Sequence, residues 1–530
     1  MTSGWYGKPG ADGGVQDDRT LRYADVHMPA PRTVGHGRMT LTTMCVALFK
    51  RFIFSCIALF LMMSTAVFGE EKSPYEGITE RLLVQTNVTS RTKEYSGVSH
   101  DSKRVYGAPA DSTWLVVVDQ NEKKKYDRLG QGSLVFSRDR KRVVYVAKGG
   151  NKQLVIVDGK EGKRYDSVGI GGPVFSPDSK HVAYAAKSGN KQLVIVDGKE
   201  GKPYDGIAER GPLFSPDSKH VAYGAAAVDK RFVVVDGKEG KKYDGLGLGS
   251  LVFSPDSKHV AYVAEANHKR FVVVDGKEEK RYKRIGASGP VFSPDSKRVA
   301  YGAAAASMWF VVVDGKEGKR HESIGTGGPL FSPDSKHVAY ISESGNKQLV
   351  IVDGKEGKPY DGIAERGPLF SPDSKHAAYA AKTGHKQFVV VDGKEGNPYD
   401  SIAASGPLFS PDSKHVAYVA EADNERFVVV DEKEGKPYDG IGLGSPLFSP
   451  DGKHVAYVAE QGDEWFVVVD GEEASHYNGL ATLEGGKAVS GSFDSLYCFC
   501  IEDNGIYLVT VRTSSIVRAP DDGQVGSSEP

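Results

Sequence analysis

A Phe-Ser-Pro-Asp turn returns along this chain at a fixed interval of 39 residues. Its phenylalanine stands at Phe175, Phe214, Phe253, Phe292, Phe331, Phe370, Phe409 and Phe448, and Phe136 opens a close relative. A fixed period in this range marks one supersecondary unit copied in tandem, so any fold must satisfy the repeat first. In the unit spanning residues 175–212, Ser176-Pro177-Asp178-Ser179 is a tight turn: proline presets φ, and Asp or Ser can bond nearby backbone amides. Residues 181–186 read as a strand, followed by the polar connection Lys187-Ser188-Gly189-Asn190. Leu193-Val194-Ile195-Val196 is apolar on successive residues and largely β-branched, which suits a strand covered on both faces. Asp197-Gly198 opens the next turn. Pro203-Tyr204-Asp205-Gly206-Ile207 can form a further strand, and Gly211-Pro212-Leu213-Phe214-Ser215 another.

Four short strands with turn punctuation and no helical period make one small antiparallel sheet. Stacking such sheets face to face buries the apolar runs, and radial stacking gives a propeller. A parallel β-helix also repeats strands, but its coils are usually shorter and lack these hairpin turns. The expected fold is all-β: a β-propeller of four-stranded antiparallel blades.

The phrase FSPDSKHVAYVAE followed by RFVVVDG, at residues 253–276, resembles the WD-repeat-like unit of TolB-type propellers. That pattern has a Ser-Pro-Asp-Gly-Lys turn, then Ile-Ala-Tyr or similar, then an apolar strand ending in Asp. Here the turn glycine occurs only in Asp451-Gly452-Lys453, and the other good copies carry Ser. The resemblance covers about residues 98–511. It implies the fold and a protein partner in the cell envelope, and it is unspecific for activity.

Residues 98–106 are a degraded copy, and residues 486–513 hold a drifted unit without its last strand. Pro74-Tyr75-Glu76-Gly77-Ile78 resembles the missing piece, so the N-terminal segment is expected to complete the C-terminal blade. This gives about ten 39-residue units plus one blade shared by the termini, arranged as one large ring or two consecutive rings. Residues 188–217 and 344–373 are the same thirty residues, four units apart, so sameness between copies can reflect duplication alone.

Residues 1–38 share none of this pattern and read as a non-structural extension. Residues 39–69 read as a signal: Lys50-Arg51 precede an uncharged run of 17 residues, 52–68, with cleavage expected after Gly69. An uncleaved signal anchor is the competing reading, since 17 residues are at the lower limit for spanning a bilayer. The expected location is periplasmic or cell-envelope, with membrane contact only through residues 52–68 if they stay attached. Residues 70–96 are the closing segment, 97–512 the propeller repeats, and 513–530 a small polar tail expected to be disordered. Lys+Arg 68 against Asp+Glu 69 leaves a formal charge of -1, and no basic stripe speaks for nucleic acid.

Two repeated columns invite chemistry. His181, His220, His259, His337, His376, His415 and His454 begin the second strand, but Arg142 and Arg298 occupy the same register. Arginine is no ordinary metal ligand, and successive blades hold these positions about 10 Å apart, too far for shared coordination. A basic turn-flanking role is expected instead. Asp178, Asp217, Asp256 and their equivalents are expected to fix the turn beside proline, and Asp197 and Asp236 to end strands before Gly. Cys498 and Cys500 alternate onto one face of one strand and are expected to pack, not to bind metal. No G-x-S-x-G elbow, HExxH helix, Walker loop or dinucleotide fingerprint occurs, and no catalytic residue or cofactor is expected.

The copies disagree in two connections: the hairpin between the second and third strands (AKSGNKQ, AAAVDKR, EANHKR) and the one ending each unit (GIAER, GLGLG, IGASG). By hairpin alternation both are expected on one variable rim, opposite the constant Ser-Pro-Asp and Asp-Gly-Lys turns. The residue entering the third strand there is Trp114, Trp309 or Trp465 in three units, Arg231, Arg270 or Arg426 in three others, and Gln in most of the rest. Trp and Arg dominate interface hot spots, which makes these six the candidate binding residues. The bland reading is that they lie over blade edges. The expected function is a protein-binding or scaffold module for an envelope protein or other macromolecule. The alternative is a propeller enzyme acting on a sugar or lactone, on the variable rim or in the central channel.

Overall fold

The computed structural model describes strands between Tyr75 and Arg518. Side chains are described from Tyr126 to Glu473, except residues 131–133, 140, 170, 443–445 and 463. The extension 1–38 and the signal 39–69 lie outside the described residues. Every described element is a strand, and all pairing is antiparallel. The chain is an all-β, multi-blade propeller.

The sheet built on residues 166–204 shows how one unit folds. Its inner strand is in two pieces, Ser167–Val168 and Val174–Phe175, both paired to the second strand, Val182–Ser188. The third strand, Lys191–Val196, pairs with the second through all six of its residues. The outer strand is Lys199–Glu200, prolonged by a bridge between Gln192 and Tyr204. The sheet is thus five-stranded as built and four-stranded in plan, because one strand is interrupted. Asp197 (φ 49°) and Gly198 (φ 77°) both take left-handed conformations, the requirement of a two-residue type I′ hairpin.

Two features differ from the expectation. The segment 203–207 is not one strand: Tyr204 bridges back to Gln192, whereas Gly206–Ile207 pair forward with Ala226 and Ala225 of the next sheet. It is the crossover between sheets. The connection that follows is not at the rim either. Residues 208–211 form a tight excursion halfway along the inner strand, with the Ala208 N–H donating to Gly224 O at 2.9 Å and the Gly211 N–H to Ala208 O at 2.8 Å. Successive excursions pack closely. A Cβ on Gly171 would stand 2.9 Å from the Arg210 carbonyl oxygen, so that position has no room for a side chain.

Nine such five-stranded sheets follow one another from Arg128 to Tyr477. A four-stranded sheet precedes them: Tyr95–Val98, Arg104–Ala110, Thr113–Val118 and Asn121–Tyr126. In the last sheet Gly479–Leu480, Val489–Ser492, Ser495–Glu502 and Gly505–Arg512 are joined by Ile78–Gln85 from the other end of the chain. The termini share a blade, and the third strand of each sheet lies beside the inner strand of the next without a break. Within the tail 513–530, Val517–Arg518 pair with Tyr75–Glu76.

The core lies between sheets. In the strand Val143–Gly149, the first five residues are buried. Val143, Tyr145 and Ala147 pack in one interface, and Val144 and Val146 in the next, against Tyr184 and Ile195. This is the two-faced cover that the unbroken apolar runs demand. The crossover tyrosine wedges each interface: Tyr204 is 2% exposed and stands edge-on to Tyr223 at 6.3 Å and Phe232 at 5.5 Å. Such pairs add about 0.5–1.5 kcal/mol beyond area burial.

Candidate functional site

The constant rim is occupied by bonds that hold the scaffold. Ser176 Oγ donates to Asp178 Oδ1 at 2.6 Å and accepts from the His181 N–H at 2.9 Å, while the Lys180 N–H donates to Asp178 Oδ1 at 3.1 Å. The Asp178 N–H reaches into the next unit, to Ser218 Oγ at 2.9 Å. The Ser176 hydroxyl, then the Lys180 amide, lower the Asp178 carboxyl to about 2. Asp334 and Asp373 are lowered to about 2 for the same reasons.

The histidine column is equally engaged. His181 Nδ1 is 2.7 Å from Asp197 Oδ2, whose other oxygen accepts the Val182 N–H at 2.9 Å. The ring also lies 6.4 Å from Phe214 of the next unit. Arg298, in the same register, pairs with Asp314 at 2.9 Å, stands 5.3 Å over Phe331 and donates to Ser335 O at 3.0 Å. The column is a clasp between neighbouring sheets. Among the described residues no group of three or more His, Cys, Asp or Glu side chains is placed to hold a metal ion.

On the opposite rim the second-to-third-strand hairpins meet the crossovers. Asp205 Oδ1 pairs with Lys191 of the preceding hairpin at 2.6 Å, and its Oδ2 accepts the Val228 N–H of the following hairpin at 2.6 Å. The Lys191 ammonium, then the Val228 amide, hold the Asp205 carboxyl below its ordinary range.

The position entering the third strand has a scaffold version. Gln192 Oε1 accepts the Ile207 N–H of the next sheet at 2.8 Å, and Gln348 does the same for Ile363 at 2.8 Å. The candidate binding residues replace that stitch. Arg231 donates to Asp244 O at 3.2 Å, Arg270 to Glu265 at 3.0 Å and Arg426 to Glu421 at 2.9 Å. Trp309 and Trp465 are half-buried, with the Arg284 guanidinium 4.9 Å over the Trp309 ring. Trp114 lies in the strand Thr113–Val118, and its side chain is outside the described residues. The six share a register on the same rim but belong to different sheets.

The inner-strand excursions form the other varied surface. Apart from Glu209, Arg210, Glu365 and Arg366, the described excursions carry only Gly, Ala, Ser, Thr and Leu. Arg210 Nη1 donates to Gly249 O of the next excursion at 2.6 Å. A cleft between the excursions at 169–172 and 208–211 has Lys187 and Glu209 as its ionisable lining.

No protein-family model matches the chain, and no curated protein matches it. Solved structures do. A eukaryotic initiation factor aligns at 10% identity over 66% of this chain and 97% of its own, with a TM-score of 0.36. TolB from Acinetobacter baumannii aligns at 18% identity over 48% of this chain and 78% of its own, with a TM-score of 0.21. A GH74 enzyme from Niastella koreensis aligns at 11% identity over 80% of this chain and 91% of its own, with a TM-score of 0.26. These neighbours carry unlike names, one of them an enzyme's, and none of them brings an activity to this chain.

Proposed function

We propose that this chain is an exported, TolB-like propeller that binds a protein of the cell envelope through its variable rim. One observation carries the reading: the constant rim is filled by bonds within and between units, whereas the opposite rim exchanges its Gln stitch for Trp or Arg in six units. Rigid scaffolds place binding determinants on such varied loops. The repeat phrase at residues 253–276 and the signal-like run at 52–68 support an envelope setting. The test is capture of envelope proteins by immobilised full-length chain. The double variant Trp309→Ala/Trp465→Ala should lose the partner while its circular dichroism stays native, and the constant-rim variant His259→Gln should keep it. Equal capture by the tryptophan variant would sink the proposal.

A further inference from the structure

One seam of the variable rim departs from its siblings by a reversal of charge. Among the described residues nine crossovers carry the residue that faces the following hairpin, and in eight it is an acid: Asp127, Asp166, Asp205, Asp244, Glu322, Asp361, Asp400 and Asp439. Each accepts the backbone N–H of the hairpin 23 residues on, at 2.5–3.2 Å. In five of the eight, a lysine of the preceding hairpin also pairs with it, at 2.5–2.6 Å. In the ninth that position is held by Lys283, and the hairpin amide is that of Ala306. That hairpin keeps the same left-handed turn, with φ 55° at Ala306 as at Val228. Lys269 stands in the preceding hairpin where the pairing lysines stand elsewhere. Among the described residues the side chains of Lys269 and Lys283 have no polar partner, and the Ala306 N–H has no acceptor.

We propose that this seam binds a carboxylate supplied from outside, from an acidic segment of a partner protein; the proposal rests on the variable-rim reading above. The sibling seams define the ligand. In Asp166, Asp205, Asp244, Asp361 and Asp400 one oxygen meets the lysine ammonium and the other the hairpin N–H, so the two donors are spaced for one carboxylate. The ninth seam keeps both donors and adds a second ammonium. Charge-assisted hydrogen bonds of this kind are the strong ones. The neighbouring acid Glu265 is held by Arg270 at 3.0 Å and does not neutralise the pair. Trp309, under Arg284, flanks the same hairpin and offers the apolar surface that interface hot spots combine with charge.

The experiment uses the full chain and calorimetric titration with two synthetic peptides. One carries consecutive glutamates with both ends blocked, and the other has a free terminal carboxylate and no acidic side chain. Binding of the glutamate peptide supports the proposal; binding of the terminal carboxylate alone, or of neither peptide, overturns it. Lys283→Asp installs the siblings' own carboxylate, and should weaken peptide binding at least tenfold while raising the melting temperature. Lys269→Gln should weaken it several-fold without changing the melt. Wild-type affinity in both variants, a glutamine analogue binding as well as the glutamate peptide, or displacement by inorganic phosphate where acetate does nothing would each overturn the assignment. Failure here leaves the rim reading standing, because that is scored with Trp309→Ala/Trp465→Ala, in which both lysines are intact.

Discussion

The two rims of this propeller are made by the same strands and differ in what their turns are bonded to. On the constant rim, the Ser and Asp side chains bond backbone amides, and wherever the next turn keeps its second serine one bond crosses to the next unit. On the variable rim, the links between units are exposed Lys–Asp pairs, the hairpin amides that the same exposed carboxylates accept, and a side-chain stitch. A buried hydroxyl that serves two groups at once has no easy substitute, whereas an exposed ion pair contributes little and can be exchanged or even reversed. The places where the copies differ are therefore those where a difference costs little stability.

Acid should expose that contrast most strongly. The turn carboxyls at Asp178, Asp334 and Asp373 are lowered from 3.8 to about 2, with the Ser hydroxyl as first cause. A depressed carboxyl stabilises the folded state fully above its unfolded value and loses that contribution as pH falls through its folded value. Stability should hold above about pH 4 and fall toward pH 2. Since hydroxyl and amide bonds are the leading causes, the acid midpoint should barely move between low and high salt; a strongly salt-dependent midpoint would assign the effect to the variable rim instead.

A single substitution comes next. Ser254 is fully buried, and its Oγ serves Asp256 and the His259 amide. Ser254→Ala should lower unfolding free energy by about 1–3 kcal/mol in a denaturant titration. A smaller and sharper test is at Ser257, which holds φ 66° and accepts the Asp217 N–H at 2.9 Å. Ser257→Ala loses the bond and keeps the left-handed backbone, whereas Ser257→Gly loses the bond and relieves the backbone. The glycine variant should be the more stable of the two by about 1 kcal/mol. The chain already contains that exchange at Gly452 (φ 75°). The smallest effect belongs to the variable rim: Lys230→Gln breaks the exposed pair with Asp244 and should change stability by no more than about 0.5 kcal/mol. A loss as large as that of Ser254→Ala would erase the distinction between the rims.

Much of this was legible in the residues. The 39-residue period and the apolar runs such as Leu193-Val194-Ile195-Val196 lead to stacked sheets, because only cover on both faces explains them. Asp197-Gly198 announces its hairpin by turn chemistry, and the repeat of Tyr75 and Ile78 announces the shared blade. The division of residues 203–207 between two sheets was not legible, since its pairing is decided by neighbours 20 residues away in the next unit. The excursion at 208–211 was misplaced for a related reason: an interrupted strand reads as a loop at its end. Lys283 is plain in an alignment of the copies, but its meaning depends on seeing Asp205 bridge two hairpins.

The blade shared by the termini sets an order of events during synthesis. The strand Ile78–Gln85 leaves the ribosome early, and its partner, Gly505–Arg512, is made about 420 residues later. At the usual rate of chain growth that interval is roughly 20–80 s. Throughout it an eight-residue strand waits without its partner, the condition under which strands pair with the wrong chain. The last piece to be placed is one of the first to be made, so the hazardous period in the life of this molecule is set by the number of units between its two ends.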